Sequence, residues 1–392
     1  MNPGMSRRRL LSKLVASGLA CLAILGTCAG CTSAAAAGNS RPAQSPVRWQ
    51  LLRLPRSIAR TWFLESVSCP TVRFCMVVGS DQLGAAAAIL TGYAWHVLRP
   101  VERVGSGVHS FVASGFMSVS CPSATDCVAV GVSEPAPAND ANLRPLAEHW
   151  NGTRWSVQAT APLRPIAWGQ SFASVSCPST TTCIAAAQIG SGAAGTGADG
   201  AAEIWHPGAR QWRNAGLRGA TWLWGVSCVS HVHCVAISAD AIYTWNGAWW
   251  SRLRAPGLDS GGPSAIACSS PTRCVVVEGL DPATSLVLRG KTWTMHAMPG
   301  VRGNVWTQFN GLSCPTANSC TAVGSVSAHN QDETSTLLVE QWNGTTWRIE
   351  RIAPVPHSAN TSLSSVSCPT PADCVTVGGD VIDKIALVER RS

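Results

Sequence analysis

A strand-forming repeat with two cysteines occurs seven times in this 392-residue chain and predicts an all-β fold, a seven-bladed β-propeller of four-stranded antiparallel blades. The first cysteines of successive copies are 40 to 56 residues apart, a spacing typical of propeller blades. The composition agrees, because 36 Gly and 24 Pro divide a chain with only 13% charged residues into many short segments. A unit of about 50 residues cannot bury a core alone, so the copies must stack on one another.

Each copy carries one cysteine pair of the form C-x5-C, and no cysteine outside the leader region is left over. The pairs are Cys69–Cys75, Cys121–Cys127, Cys177–Cys183, Cys228–Cys234, Cys268–Cys274, Cys314–Cys320 and Cys368–Cys374. In an exported chain this even count favours seven local disulfides. The alternative is that each pair forms half of a metal site, but the copies lack a second pair of cysteines or histidines to complete four ligands.

The four strands of a blade follow from the residues around each cysteine pair. The first strand ends in the first cysteine, with an apolar residue two positions before it and Ser, Gly or Ala one and three positions before it. One side of this strand is therefore small, as expected where strands crowd a central axis. The second strand, as in 127–131, is apolar on both faces and must be covered on both sides. Asn-Gly turns, such as Asn151-Gly152 and Asn343-Gly344, join the third and fourth strands.

The seventh copy contains three predicted strands, and residues 47–55 are predicted to supply the fourth. The sequence V-R-W-Q-L-L-R-L-P at 47–55 matches a fourth strand such as T-W-R-I-E-R at 346–351. We therefore expect the N-terminal strand to complete the last blade and close the ring. Closure would remove the exposed sheet edges that an open array has to protect.

The recurring form of the copies is S-V-S-C-P-S-x-x-x-C-x-A-V-G, followed by x-E-x-W-N-G-x-x-W, and it extends over residues 47–392. In this pattern the chain resembles the secreted seven-bladed β-propellers of actinobacteria, within the kelch-like and BNR-like group. The resemblance implies the propeller fold and secretion. It implies no single activity, because propellers support many unrelated functions.

Residues 1–30 have the features of a bacterial signal peptide. The charged run S-R-R-R-L-L-S-K at 6–13, which also resembles a twin-arginine signal, precedes an apolar run at 14–25 that is too short to span a bilayer. The sequence C-A-G-C at 28–31 resembles a lipobox with Cys31 as the acylated residue, followed by a flexible linker at 31–46. We expect a lipoprotein on the extracellular face of the bacterial cell membrane. Cleavage after 35–37 and release as a secreted protein is the alternative.

Candidate functional residues lie in the connections that differ between copies, because variable loops on a regular scaffold commonly carry function. Tryptophans near the blade entrances could stack on sugar rings or pack between blades. They are Trp62, Trp168, Trp222, Trp224 and Trp306. Carboxylates after the second strands could bind a cation, do acid–base work, or simply cap strand ends and pair with arginines. They are Asp81, Asp240, Glu278 and Asp380, of which Asp81 and Asp380 are expected in neighbouring blades.

The sequence favours binding over catalysis. It has no nucleophile motif, phosphate loop or H-E-x-x-H sequence, so we assign no catalytic residue, metal or cofactor. The net charge of +8 includes four basic residues of the leader, and no basic cluster follows, which argues against nucleic acid. The leading hypothesis is a monomeric, non-catalytic module that binds an extracellular glycan or protein. A hydrolase or lyase using rim carboxylates, and a purely structural envelope component, are the alternatives.

Overall fold

The computed structural model describes residues 49–101, 114–134, 143–161, 163, 169–190, 199–206, 208–217, 219–253, 262–279, 282–299, 301, 305–328, 334–353, 355, 358, 360–380 and 385–392. Within these ranges the chain forms 29 strands and one four-residue helix, arranged as seven antiparallel sheets. The predicted seven-bladed propeller of four-stranded blades is therefore confirmed. The predicted signal peptide, Cys31 and the linker lie outside the described residues.

The strands follow the chain blade by blade. Strand β1 (Trp49–Leu51) and helix α1 (Arg56–Ala59) come first. Blade 1 contains β2 (Phe63–Thr71), β3 (Phe74–Asp81), β4 (Gly84–Thr91) and β5 (Ala94–Leu98). Blade 2 contains β6 (Gly115–Ser123), β7 (Asp126–Ser133), β8 (Arg144–Trp150) and β9 (Trp155–Val157). Blade 3 contains β10 (Gln170–Ser179), β11 (Thr182–Ile189), β12 (Asp199–Trp205) and β13 (Arg213–Asn214), and the short β14 (Ala220–Thr221) also pairs with β12.

The remaining blades repeat this order from the channel outward. Blade 4 contains β15 (Leu223–Ser230), β16 (His233–Ser238), β17 (Ile242–Trp245) and β18 (Trp250–Leu253). Blade 5 contains β19 (Ala265–Ser270), β20 (Arg273–Glu278), β21 (Thr284–Arg289) and β22 (Thr292–Ala297). Blade 6 contains β23 (Val305–Thr316), β24 (Ser319–Ala328), β25 (Ser335–Trp342) and β26 (Trp347–Ile349). Blade 7 contains β27 (Thr361–Ser367), β28 (Cys374–Asp380), β29 (Ile385–Arg391) and, from the other end of the chain, β1.

The N-terminal strand closes the ring as the sequence predicts. Strand β1 pairs antiparallel with β29, with Trp49 opposite Arg391. The indole Nε1 of Trp49 donates a 2.9 Å hydrogen bond to Glu350 Oε2 in the connection that leaves blade 6. The buried guanidinium of Arg391 binds both oxygens of the same carboxylate at 3.0 Å. Glu350 thus joins the closing strand and its partner strand to the preceding blade.

The hydrophobic core lies between successive blades, because the inner strands are covered on both faces. Met76 and Val78 of blade 1 share one buried cluster with Phe116 and Trp155 of blade 2. The ring centroids of Phe116 and Trp155 are 5.6 Å apart. This packing explains why the second strands are apolar on both sides. Among the described residues, no helix is long and apolar enough to cross a membrane.

All seven cysteine pairs lie at disulfide distance, with sulfur–sulfur separations of 2.04 to 2.08 Å. Each disulfide joins the end of the first strand to the start of the second in one blade. The Asn-Gly turns lie beside these cysteine turns. A Cβ added to Gly152 would contact Thr125 in the cysteine turn of the same blade at 3.0 Å. One rim of the propeller is therefore formed by two sets of short, regular turns.

Serine hydroxyls in the first strands join six of the seven blades to the next blade in the ring. Ser118 and Ser120 of blade 2 accept hydrogen bonds from the backbone N–H groups of Val175 and Cys177 in blade 3, at 3.1 and 2.9 Å. Ten serines occupy the positions one and three before the first cysteine in the described strands, and each accepts such a bond. The other eight are Ser66, Ser68, Ser174, Ser176, Ser227, Ser313, Ser365 and Ser367. We call this set the serine ladder.

Candidate functional site

A β-bulge interrupts the first strand of six blades, four positions before the first cysteine. In blade 1 the register with the second strand shifts between Leu64 and Ser66, so Glu65 is the extra residue. Gly79 lies opposite this bulge, where an added Cβ would stand 1.9 Å from the carbonyl oxygen of Phe63. Bulges re-aim one side chain relative to the rest of the strand.

The bulge residues have little in common chemically. They are Glu65, Met117, Ala173, Trp224, Asn310 and Ser364. In blade 5 the equivalent residue is Ser264, whose backbone N–H donates to the carbonyl oxygen of Val277 at 2.9 Å just before β19 begins. A regular scaffold therefore presents seven different side chains at equivalent positions.

All seven of these residues line one cavity of about 730 Å³ at an end of the central channel. The same seven also line a narrower continuation of about 210 Å³ along the channel axis. The wider cavity is bordered by Ala239 and Gly279, which directly follow the second strands of blades 4 and 5. It therefore opens on the face opposite the cysteine turns. We call this cavity the channel mouth.

Glu65 gives the channel mouth its charge. Of the described residues that line the cavity, Glu65 alone is ionisable as an acid or a base. Its side chain is reached by solvent in the channel but is surrounded by protein, and this desolvation raises the pKa of its carboxyl group. Nearby polar side chains are engaged elsewhere, since Asn310 donates to Ser362 Oγ and to the carbonyl oxygen of Leu363.

Apolar surface is exposed beside this acid. Met117 and Trp224 line the cavity and are 43% and 42% exposed. Trp222 is exposed to the same extent, and its ring centroid lies 5.4 Å from that of Trp224, at an interplanar angle of 38°. Blade 4 lies across the seven-membered ring from blade 1, so Trp224 faces the side of the channel that carries Glu65.

The other candidate tryptophans do not line the channel mouth. Trp62 is 5% exposed and packs in the core cluster with Leu52 and Ile58, at the junction of blades 7 and 1. Trp306 is 54% exposed on β23 and is not among the residues that line the cavity, although Gln308, two positions later on the same strand, is. Trp168 lies outside the described residues. Of the five candidates, the structure places Trp224 in the lining of the channel mouth and Trp222 against Trp224.

All four candidate carboxylates accept hydrogen bonds from neighbouring groups of the protein. Burial alone would raise the pKa of Asp240, but hydrogen bonds from Thr221 and Ser238 and the guanidinium of Arg252 outweigh it and lower the pKa. The distance from Asp240 Oδ2 to Arg252 Nη2 is 2.9 Å. Glu278 Oε2 accepts a 2.9 Å hydrogen bond from Thr284, and burial raises the pKa of this glutamate. Asp380 Oδ2 accepts hydrogen bonds from Ser358 Oγ and from the backbone N–H of Asn360.

Asp81 caps a turn. Its Oδ1 accepts a 2.7 Å hydrogen bond from the backbone N–H of Leu83. Asp81 and Asp380 line two different crevices, although Trp62 borders both. Asp81 in blade 1 and Asp380 in blade 7 thus lie in neighbouring blades, as expected, and border different crevices. No group of three or more potential metal ligands occurs in the described part of the chain.

The sequence contained a signal for the bulge that the period-two interpretation missed. Phe116 and Val119 are three positions apart, yet both are buried in the same cluster. A regular strand places residues three apart on opposite faces, so this odd spacing requires one extra residue between them. The residue is Met117, and the same reasoning identifies Glu65 between Leu64 and Val67.

Two solved structures are similar to the chain in fold. One is YCF48 bound to a D1 peptide, with a TM-score of 0.58, 16% identity, and coverage of 89% of this chain and 98% of that chain. The other is YCF48 from Cyanidioschyzon merolae, with a TM-score of 0.54, 14% identity, and coverage of 87% and 98%. At these identities the likeness shows the fold alone. No protein-family model and no curated protein matches the chain.

Proposed function

We propose that this protein is a non-catalytic binding module that holds a segment of another protein in the channel mouth. The observation that carries the proposal is the repeated bulge, which directs seven chemically different side chains into one cavity. A packing role alone would favour similar residues at equivalent positions. Side-chain diversity on a regular scaffold is instead typical of a recognition surface.

Exposed apolar surface at the channel mouth supports a protein ligand. Met117 and Trp224 line the cavity, Trp222 packs against Trp224, and each of these three large side chains is more than two-fifths exposed. Clustered apolar and aromatic residues of this kind supply most of the binding energy in protein interfaces. In one of the similar solved structures YCF48 is bound to a D1 peptide, which supports a peptide ligand for a propeller of this kind.

A glycan is the second candidate ligand, favoured by the pair of exposed tryptophans. The rings of Trp222 and Trp224 pack against each other at an interplanar angle of 38°, so part of each ring face is already covered. A sugar ring stacks best on a free, flat aromatic face, which makes the pair better suited to an irregular apolar side chain. The hydrolase or lyase alternative has less support, because Asp240, Glu278 and Asp380 are engaged by neighbouring groups.

The protein is proposed to act outside the cytoplasm, as a lipoprotein anchored through Cys31. Seven local disulfides fit an extracellular or otherwise oxidising compartment, because cytosolic thiols are kept reduced. Acylation at Cys31 would hold the propeller near the membrane.

The proposal is tested with pools of acetylated ten-residue peptides, randomised around one fixed central residue, and with a glycan array. We expect the purified propeller to bind peptide pools and Trp224→Ala to weaken that binding at least tenfold. Trp249→Ala is the matched control, since it removes a 63% exposed tryptophan at the Asn-Gly turn of blade 4, on the opposite face, and should leave binding unchanged. Binding to glycans but to no peptide pool, or equal losses in both variants, would contradict the proposal.

A further inference from the structure

We propose that the channel mouth selects a basic side chain, a lysine or arginine of the bound protein segment, and that Glu65 is the residue that recognises it. This inference rests on the proposed function and adds the chemistry of the ligand. The ligand's aliphatic stem would pack on Met117 and Trp224, while its charged end pairs with the Glu65 carboxylate.

Charge complementarity is the first argument. Glu65 is the one ionisable group among the described residues of the cavity wall, and no described basic side chain lines the cavity to neutralise it. Its carboxylate takes part in no hydrogen bond with another described residue, unlike Asp240, Glu278 and Asp380. A carboxylate that has no such partner, in a partly desolvated site, is stabilised most by a cation that brings its own hydrogen-bond donors.

The position of the acid is the second argument. Glu65 is an extra residue in the pairing of β2 with β3. It makes no packing contribution that fixes the fold, since its neighbours Leu64 and Val67 fill the core cluster. Four of the equivalent bulge residues, Ala173, Ser264, Asn310 and Ser364, are small or amide side chains. The fold therefore does not require a glutamate at this position.

The aromatic side of the cavity is the third argument. Trp224 is 42% exposed and lies across the ring from Glu65, and Met117 is in the blade next to Glu65. Indole faces attract cations, and the long methylene stems of lysine and arginine cover apolar surface. The acid thus matches the charged end of a basic side chain, and the indole and the thioether match its methylene stem. An acidic or short polar side chain would leave the same surface uncovered.

Binding of a cation should also release protons. Desolvation raises the pKa of Glu65 in the free protein, and a bound cation lowers it again because it favours the charged carboxylate. At mildly acidic pH, the measured enthalpy of binding should therefore depend on the ionisation enthalpy of the buffer. A Glu65→Gln variant should lose this dependence. A role for Glu65 in folding alone would not produce it.

The test compares peptide pools whose fixed central residue is Arg, Lys, Leu or Glu. The wild type should bind the Arg and Lys pools at least tenfold more tightly than the Leu and Glu pools. Glu65→Gln should remove this preference, and Glu65→Lys should transfer it to the Glu pool. Asp81→Asn is the matched control, because it removes a carboxylate of the same blade outside the cavity and should keep the wild-type preference.

The outcomes separate this inference from the proposed function. Equal binding of all four pools, abolished by Trp224→Ala, would overturn the role of Glu65 while leaving the peptide-binding function intact. A basic preference that persists in Glu65→Gln would overturn it too. If the folded wild-type protein binds only glycans, or binds none of the four pools, both the role of Glu65 and the peptide-binding function are contradicted. Circular dichroism of each variant identifies any loss of folding.

Discussion

The pH dependence of stability should come mainly from buried glutamates in the third strands. Glu148, Glu203, Glu340 and Glu389 stand at equivalent positions and are fully buried. Glu148 and Glu203 accept backbone hydrogen bonds from the connection that precedes their blade, from Val101 at 2.9 Å and Ala161 at 3.2 Å. The glutamate of the x-E-x-W motif therefore has a structural role between blades.

Burial raises the pKa of Glu203 to about 7, although the Ala161 hydrogen bond partly opposes the shift, and burial raises that of Glu389 to about 7. Between about pH 4.5 and 7 the folded protein retains protons that the unfolded chain has lost. The free energy of unfolding should therefore fall as pH rises through this window, by up to about 3 kcal/mol per glutamate at 1.36 kcal/mol per pKa unit.

Glu203→Gln should flatten this dependence, because the amide oxygen can still accept from Ala161 and carries no titrating proton. Denaturant unfolding at pH 5 and pH 7.5 measures the difference. Asp81→Asn, a change at a turn carboxylate, should keep the slope of the wild type. A Glu203→Gln variant with the wild-type slope would show that this glutamate is not protonated in the folded protein.

At the scale of strands, the serine ladder makes each first strand dependent on its neighbour. Ser120→Ala would leave the backbone N–H of Cys177 without a hydrogen-bond acceptor, at a cost of about 1 to 2 kcal/mol. Ser156→Ala is the control, since its exposed hydroxyl makes only a 3.3 Å bond to the carbonyl oxygen of His149 within the same blade. Denaturant unfolding of both variants gives the comparison. Equal effects would argue that the ladder contributes nothing specific.

The ladder can also be extended. Ala267 occupies the position one before the first cysteine of blade 5, where other blades have serine. Ala267→Ser places a hydroxyl where it can accept from the backbone N–H of Cys314 in blade 6. We expect the free energy of unfolding to increase by about 1 kcal/mol or less. A loss of stability would mean that the spacing of blades 5 and 6 excludes the bond.

The local sequence predicted strands, turns and disulfides well because each depends on residues close in the chain. The Asn-Gly turns and C-x5-C pairs are of this kind. The serine ladder was visible only as a preference for small residues, because each acceptor's donor lies in another blade, about 40 to 57 residues later or at the other end of the chain. The bulge was missed because a strict period of two was assumed, and so Glu65 and Met117 were not among the candidates.

At the scale of the whole molecule, ring closure depends on one short strand. Trp49 is 5% exposed, packs with Leu363 and Leu387, and donates to Glu350, whereas Leu51 on the same strand is 47% exposed. Trp49→Ala should lower the free energy of unfolding by about 3 to 5 kcal/mol, because it leaves a cavity at the closing blade. Leu51→Ala should change it by less than about 1 kcal/mol.

The midpoint temperature of thermal unfolding and the yield of folded protein provide the measurements for these two variants. Deleting residues 49–55 should lower both more than Trp49→Ala does, because the edge of β29 then loses its partner strand. Unchanged unfolding after the deletion would contradict closure by this strand.

The repeat places regular turns and disulfides on one face and the channel mouth on the other, so ligand binding should be confined to one side of the molecule. Hydrogen–deuterium exchange with and without a peptide from the arginine-centred pool tests this most directly. We expect new amide protection at the bulges, in 64–66, 116–118 and 223–225. Protection at the Asn-Gly turns in 151–154 and 343–346, with none at the bulges, would show that the ligand binds the opposite face.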